Sequence, residues 1–166
     1  MQIVPLKQRP NLAAQLAGLH AREWGHLYAD WTEDAALNEF LQEPSFDRLP
    51  ATLVAVEGHV LLGSVSVIYD DLPGWEYLNP WVASLYVVGH ERGKGIGTVL
   101  LSAAEALLRT HSVPRAHVFT EHHATYFRRF GWSTYAKSTA NGHDVVILVK
   151  ELDPLSGCRQ QTIKET

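Results

Sequence analysis

Val87-Val88-Gly89-His90-Glu91-Arg92-Gly93-Lys94-Gly95-Ile96-Gly97-Thr98 is the stretch that decides the fold. An apolar strand pattern leads into it, and apolar residues recur at helical spacing after it, at Ile96, Val99, Leu100, Ala103 and Leu107. Glycines let a bulky group approach the backbone, and the first N–H groups of a helix lack partners inside the helix. The helix dipole adds partial positive charge at the same place. The stretch therefore predicts a turn that binds a phosphate group.

Two well-known nucleotide-binding patterns fit this turn poorly. The Walker A pattern requires four residues between its first glycine and the Gly-Lys-Ser/Thr, whereas Gly93 follows Gly89 after three residues and Gly95 follows Lys94. The dinucleotide pattern Gly-x-Gly-x-x-Gly begins at Gly93 but ends on Thr98, and it follows a hairpin instead of opening a βαβ unit. Hydrolysis of a nucleoside triphosphate and dinucleotide binding are therefore both disfavoured.

Around the turn, the chain alternates between helix and strand patterns. We predict helices over about 11–23, from Glu33 to before Pro44, from Ile96 onward and over 125–130. We predict strands over 2–6, 51–57, 60–69, 81–88, 115–120 and 145–149, with Glu57-Gly58-His59 as a hairpin turn. This order predicts a mixed α/β (α+β) fold in one domain, residues 1–152, followed by a polar tail, residues 153–166.

Composition narrows the possible functions. The chain has 166 residues, 46% of them hydrophobic, which is enough for one domain with its own core. Its net charge of −4 disfavours a general nucleic-acid binder, which needs a basic face. No apolar stretch has the length of a membrane helix. No membrane partner is therefore expected.

The cysteine and histidine pattern gives no sign of a disulfide or a metal site. The single cysteine, Cys158, cannot form a disulfide within the chain, and the paired-cysteine zinc patterns are absent from the sequence. His122 and His123 are too close together to present a zinc pair on one face. The N-terminal residues lack the pattern of a signal peptide. A cytoplasmic protein without a metal is therefore expected.

The pattern Arg92-x-x-Gly95-x-Gly97 resembles the acetyl-CoA pyrophosphate signature of the GCN5-related N-acetyltransferase superfamily. The resemblance extends over about 2–152, because the order of elements matches and the short late helix ends in Arg129-Phe130-Gly131-Trp132. It implies a central, mostly antiparallel, twisted sheet with helices on both faces. It also implies a splayed pair of strands that holds acetyl-CoA as co-substrate.

The resemblance also implies which residues contact acetyl-CoA. The strand residues Leu85, Tyr86 and Val87 would pair with the pantetheine arm, and the Val87 N–H would bond the thioester oxygen. The pyrophosphate would lie on the main chain of Arg92, Gly93, Lys94, Gly95, Ile96, Gly97 and Thr98. Phe127 would lie near the thioester, at the position where the family often carries a tyrosine as general acid. Tyr126 precedes it, and one helical step turns a side chain about 100° around the axis.

Candidate catalytic groups are few. Tyr126 is the candidate general acid, and Ser84, His123 and Glu76 are the remaining candidates for proton transfer. Cys158 lies in the tail, so we expect the amine to attack the thioester directly. In the family the acceptor lies between the early helices and the loop before the signature strand. Trp31, Asp71, Trp75 and Trp81 are the candidates there, because aromatic walls and carboxylates suit a cationic amine.

The sequence therefore predicts an N-acetyltransferase that acts on a primary amine of a small molecule. Two alternatives stay open: an acetyltransferase of proteins or peptides, and a non-catalytic acyl-CoA-binding regulatory module. The second of these draws on the phenylalanine at position 127. A protein that uses its apolar sheet edge for interactions, without binding CoA, is a third. Pairing of sheet edges would allow a homodimer.

Overall fold

The computed structural model describes residues 1–44 and 48–153. Within them, four helices and seven strands form one layered unit. The helices are α1 (Ala13–Trp24), α2 (Glu33–Gln42), α3 (Ile96–Thr110) and α4 (Ala124–Arg128). The strands are β1 (Gln2–Pro5), β2 (Ala51–Glu57), β3 (Val60–Ile68), β4 (Trp81–Val87), β5 (Arg115–Thr120), β6 (Ser133–Ala140) and β7 (His143–Glu151).

All seven strands belong to one sheet in the order β1-β2-β3-β4-β5-β7-β6. Every neighbouring pair is antiparallel except β4 and β5, which run parallel. These two strands share a single register position, Trp81 opposite His117, and they separate beyond it. The mixed α/β fold with a mostly antiparallel sheet and a splayed strand pair is thereby confirmed.

A β-bulge in β4 marks the place where the strands separate. Ser66 lies opposite Ala83 and Ser64 opposite Tyr86, so Ser84 and Leu85 together face the single residue between Ser64 and Ser66. Ser84 adopts a left-handed backbone with φ of 51°. A bulge bends its strand and increases the local twist. The bend turns the second half of β4 away from β5 and opens the sheet.

Helices cover both faces of the sheet because the central strands are apolar on both sides. In β2, Leu53 and Ala55 belong to the cluster that α3 buries, whereas Val54 and Val56 belong to the cluster under α1 and α2. Successive strand residues point to opposite faces, so this alternation gives two separate cores. Because α3 packs against one face of the sheet, the turn at its N-terminus is held in place.

The helix predictions agree with the structure to within about two residues at most ends, but one strand was missed. Residues 133–140, which form β6, were not predicted as a strand, and β7 is longer than the predicted 145–149. β6 is an edge strand, as β1 is at the other end of the sheet, and most of its residues are exposed and polar. It therefore lacks the apolar alternation that identifies a half-buried strand. Of the predicted tail, residues 154–166 lie outside the described part of the chain.

Among the described residues, no helix combines the length and the apolar character needed to cross a membrane.

Candidate active site

A cavity of about 970 Å³ occupies the opening between β4 and β5. Five regions line it: the end of α1 with the segment after it, Asp71 in the segment after β3, β4 from Val82 onward, the glycine turn, and the end of β5 with α4. Among the residues that line the cavity are His26, Tyr28, Asp71, Ser84, Leu85, Tyr86, Val87, Arg92, Gly93, Gly95, Ile96, Gly97, Thr98, Glu121, His122, His123, Tyr126, Phe127 and Arg129.

The glycine turn presents free backbone N–H groups to one end of this cavity. Gly93 and Gly95 have φ of 79° and 82°, a left-handed conformation that a side chain would strain. Gly95 is the N-cap of α3, and no side chain caps the helix. The first N–H groups of α3 therefore have no partner within the helix and point at the cavity. Together with the dipole of a 15-residue helix, they suit a pyrophosphate.

The charged side chains of the turn are oriented differently from one another. The Arg92 Nε donates to the Val87 carbonyl at 2.9 Å, and its guanidinium lies 5.6 Å from the centre of the Tyr86 ring. Lys94 is predicted to contact the cofactor, but its side chain turns to Glu91 at 3.0 Å and does not line the cavity. Arg92, together with Arg22 and Arg129 outside the turn, therefore supplies positive charge to the cavity.

One edge of β4 faces the opening with its backbone groups. The Val88 N–H donates to the Leu62 carbonyl at 2.9 Å and so points to β3. Backbone groups of successive strand residues point to opposite edges, so the Val87 N–H points away from β3 and into the opening. This orientation leaves a donor for an extended ligand that lies alongside β4.

Tyr126 and Phe127 lie on α4 in different surroundings. Phe127 is buried in the core, with its ring centre 5.9 Å from that of Trp132. The Tyr126 hydroxyl is buried and finds no hydrogen-bond partner among the described residues. It lies 3.0 Å from the point where a Cβ on Gly97 would stand. A buried hydroxyl without a partner is costly, so this atom and the glycine surface beside it fit a bound polar group.

Asp71 and Tyr28 form a buried pair in another part of the cavity wall. The Tyr28 hydroxyl donates to Asp71 Oδ1 at 2.7 Å, and Asp71 is only 8% exposed. Burial raises the pKa of Asp71 to about 7, and the hydrogen bond from Tyr28 opposes part of that rise. Asp71 therefore changes its protonation state near neutral pH, as a group that accepts a proton from an ammonium must.

Glu121 follows β5 and gathers three histidines. Its carboxylate lies 2.8 Å from His26 Nε2, 3.2 Å from His143 Nδ1 and 3.5 Å from His122 Nε2. The hydrogen bond with His26 holds the pKa of Glu121 below its usual range, and the remaining histidine contacts act in the same direction. Glu121 thus brings a negative charge to the rim of the cavity, close to the three imidazoles.

The structure brings some of the predicted catalytic and acceptor residues to the cavity and leaves others outside it. Asp71, Ser84, His123 and Tyr126 line it. Glu76 does not, because its carboxylate is exposed and accepts the Gly74 N–H at 2.9 Å.

The three tryptophans predicted for the acceptor side also lie elsewhere. Trp81 is completely buried within the sheet. Trp31 donates to Glu39 and packs over α1 and α2, while Trp75 donates to Ser138 on β6. None of the three lines the cavity.

Tyr28 and Glu121 supply polar groups that the sequence prediction did not place in the site. Their partners, Asp71 and His26, are 43 and 95 residues away in sequence. No local pattern could have paired them.

The fold and the cavity define the class: a splayed sheet with a phosphate-binding turn at the N-terminus of its central helix is an acetyltransferase architecture. A family model described as "Acetyltransferase (GNAT) family" matches residues 14–132, and the chain belongs to this family. It is therefore an N-acetyltransferase, and acetyl-CoA is its co-substrate. No curated protein sequence gives a significant match.

Solved structures show the same fold at low sequence identity. An aminoglycoside 6'-N-acetyltransferase complexed with coenzyme A has a TM-score of 0.71 at 16% identity, covering 93% of this chain and 99% of that chain. An aminoglycoside 6'-acetyltransferase type Ii has the same TM-score and coverage at 20% identity. A PaiA N-acetyltransferase from Thermoplasma acidophilum, in complex with coenzyme A, has a TM-score of 0.61 at 16% identity, covering 91% and 99%.

Proposed function

We propose that the chain transfers the acetyl group of acetyl-CoA directly to a primary amine of a small cationic molecule. The observation that carries this proposal is one cavity that joins two different surfaces. One is the glycine turn with free N–H groups, Arg92 and Arg129, which suits phosphates. The other contains the carboxylates of Asp71 and Glu121, which suit a cation. A donor and an acceptor of opposite charge can therefore bind side by side.

Each part of the cavity has one role in the reaction. Acetyl-CoA supplies the activated acetyl group, with its pyrophosphate on residues 93–98 and its extended arm beside β4. The Val87 N–H bonds the thioester oxygen as negative charge develops there. Asp71 takes the proton of the acceptor ammonium, directly or through a water, and Tyr28 holds its carboxylate in place. The neutral amine then attacks the carbonyl carbon and forms the C–N bond, the C–S bond breaks, and the second proton that the nitrogen loses goes to solvent or to the departing thiolate.

Tyr126 takes a binding role in this scheme and not that of general acid. Its hydroxyl is unpartnered among the described residues and lies beside Gly97, at the phosphate end of the cavity. A hydroxyl there donates to the pyrophosphate or to the adjoining part of the arm. The departing thiolate needs little help, because a thiol with a pKa near 8.5 leaves as its anion close to neutral pH.

The acceptor class draws support from the carboxylates and from the similar structures. Two of the similar structures are named as aminoglycoside acetyltransferases, and the cavity of this chain places the carboxylates of Asp71 and Glu121 where ammonium groups could bind. The rival non-catalytic module is favoured by one observation, the buried Phe127 at the usual tyrosine position. The compartment and the homodimer stay predictions of the sequence.

Calorimetric titration with acetyl-CoA, followed by thiol release on a panel of small amines, tests the proposal. The wild type is compared with Gly95→Trp, which fills the turn, and with Gly58→Trp as control. Gly58 also has a positive φ, and an added Cβ there meets no described atom within 4 Å. We expect micromolar binding that only Gly95→Trp loses, and turnover on a polycationic amine. Binding of acetyl-CoA without turnover on any amine of the panel would overturn the proposed small-molecule acceptor.

A further inference from the structure

Three side chains able to bind a metal ion meet at the rim of the cavity. They are His26 from the segment after α1, Glu121 from the end of β5 and His143 from the start of β7. Their ligand atoms all lie within 4.8 Å of one another. His26 and Glu121 also line the cavity, whereas His143 lies behind them and does not. Three separate parts of the chain thus contribute one donor each.

Contacts within the protein hold this cluster in place. The Asn141 side-chain amide donates to the His26 carbonyl at 2.9 Å and so ties the segment after α1 to the β6–β7 turn. The rings of His26 and His143 meet edge to face with centres 4.9 Å apart. Glu121 is 19% exposed, and its two oxygens are shared between the two histidines. The donors are therefore already assembled on a rigid sheet end.

The donor set selects the kind of ion. Two imidazoles and one carboxylate suit zinc and its neighbours, whereas calcium and magnesium require oxygen ligands. Donors about 2.0–2.1 Å from a tetrahedral zinc ion lie about 3.3 Å apart. The distance from His26 Nε2 to Glu121 Oε2 is 2.8 Å, and the distance from His143 Nδ1 to Glu121 Oε1 is 3.2 Å. Both distances are already close to that spacing. Small side-chain rotations would admit the ion.

We propose that His26, Glu121 and His143 bind a divalent ion of the zinc class at the rim of the cavity. Three protein ligands leave a fourth position for water or for His122, whose Nε2 lies 3.5 Å from Glu121. The ion ties the segment after α1 to β5 and β7. It also neutralises Glu121, one of the carboxylates offered to a cationic acceptor. If the proposed function holds, zinc raises KM for a cationic amine and leaves acetyl-CoA binding unchanged.

The test is direct binding of Zn²⁺, measured by calorimetry on the tag-free full chain after chelator treatment. Co²⁺ serves as a second probe, because its visible absorption reports the coordination geometry. The variants are His143→Ala, which does not touch the cavity, and Glu121→Gln. His59→Ala is the matched control, since His59 is exposed in the β2–β3 turn.

We expect one equivalent of Zn²⁺ to bind with micromolar affinity in the wild type and in His59→Ala. Both cluster variants should bind at least tenfold more weakly. Equal binding in all four proteins, or no saturable binding, would overturn the proposal. Acetyl-CoA titrations of the same samples keep the two proposals apart, because a protein that binds acetyl-CoA but not zinc refutes only the metal site.

Discussion

At the residue scale, Asp71 shows how burial prepares a group for proton transfer. Asp71 is 8% exposed, and its carboxylate accepts a hydrogen bond from the Tyr28 hydroxyl. Because burial disfavours the charged form, its pKa rises to about 7. An exposed aspartate would hold its proton too weakly to serve as a base at neutral pH.

We expect Asp71→Asn to lower kcat/KM for the amine acceptor by about a hundredfold or more, as for other lost general bases. In the wild type, kcat/KM should fall about tenfold per pH unit below the Asp71 pKa, since the protonated carboxyl cannot accept a proton. Asp70→Asn is the control, because Asp70 is exposed and contacts Asn79. Measured pH profiles of the three proteins check this, and an acidic limb unchanged in Asp71→Asn would contradict it.

At the element scale, one buried ionic network fastens α3 to the far half of the sheet. Glu105 of α3 is 6% exposed and accepts from Lys150 of β7 at 2.8 Å on both oxygens, and from the Trp132 indole at 3.1 Å. Lys150 also donates to the Phe130 carbonyl at 2.7 Å. The helix that begins at the glycine turn, α3, is thus linked to β7, which lies on the other side of the opening.

Lys150→Met should lower the free energy of unfolding by up to about 3 kcal/mol, because it leaves the buried Glu105 carboxylate with only the Trp132 indole and Arg109, 3.5 Å away, as partners. The double variant Lys150→Met/Glu105→Gln should recover part of this loss, since no uncompensated charge remains. Urea unfolding of both single variants and the double variant gives the coupling energy. Additive losses would show that the pair does not act as a unit.

At the scale of the whole molecule, a neutral histidine lies between the α1 layer and the sheet. His20 is 1% exposed, and its Nε2 lies 2.8 Å from Ser64 Oγ on β3. Its ring meets Trp24, Phe40 and Tyr86 edge to face. Burial lowers the pKa of His20 to about 3, so the folded protein holds it uncharged over the physiological range.

This burial makes global stability depend on pH in a defined direction. Between the His20 pKa of about 3 in the folded state and the ordinary value of 6.5, only the unfolded chain takes up the proton. Relative to His20→Gln, the wild-type free energy of unfolding should therefore fall as pH drops below about 6.5, by up to about 1.4 kcal/mol per pH unit. Asp71 acts in the opposite direction, and the comparison with a variant removes its contribution.

Chemical denaturation at about pH 5 and about pH 7.5, one value on each side of the ordinary histidine pKa, measures this difference. His59→Gln, at an exposed turn position, is the control and should follow the wild type at both values. A constant difference between the wild type and His20→Gln would mean that the pKa of His20 is the same in the folded and the unfolded protein.

The sequence by itself determined the class of fold and the position of the glycine turn. Glycine conformation, strand alternation and helical spacing are local properties, so Gly93, Gly95 and the start of α3 could be placed from neighbouring residues alone. The order of elements then made the family recognisable. The edge strand β6 was missed because half-exposed polar residues carry no such local signal.

Only the tertiary structure decided which side chains face the cavity. Trp31, Trp75 and Trp81 fit an aromatic acceptor wall by residue type, yet each packs or bonds elsewhere. The pairs that do form the site join residues far apart in sequence, such as Tyr28 with Asp71 and His26 with Glu121. The direction of a side chain depends on how layers pack and where the β4 bulge bends the sheet. Such long-range contacts leave no pattern between neighbouring residues.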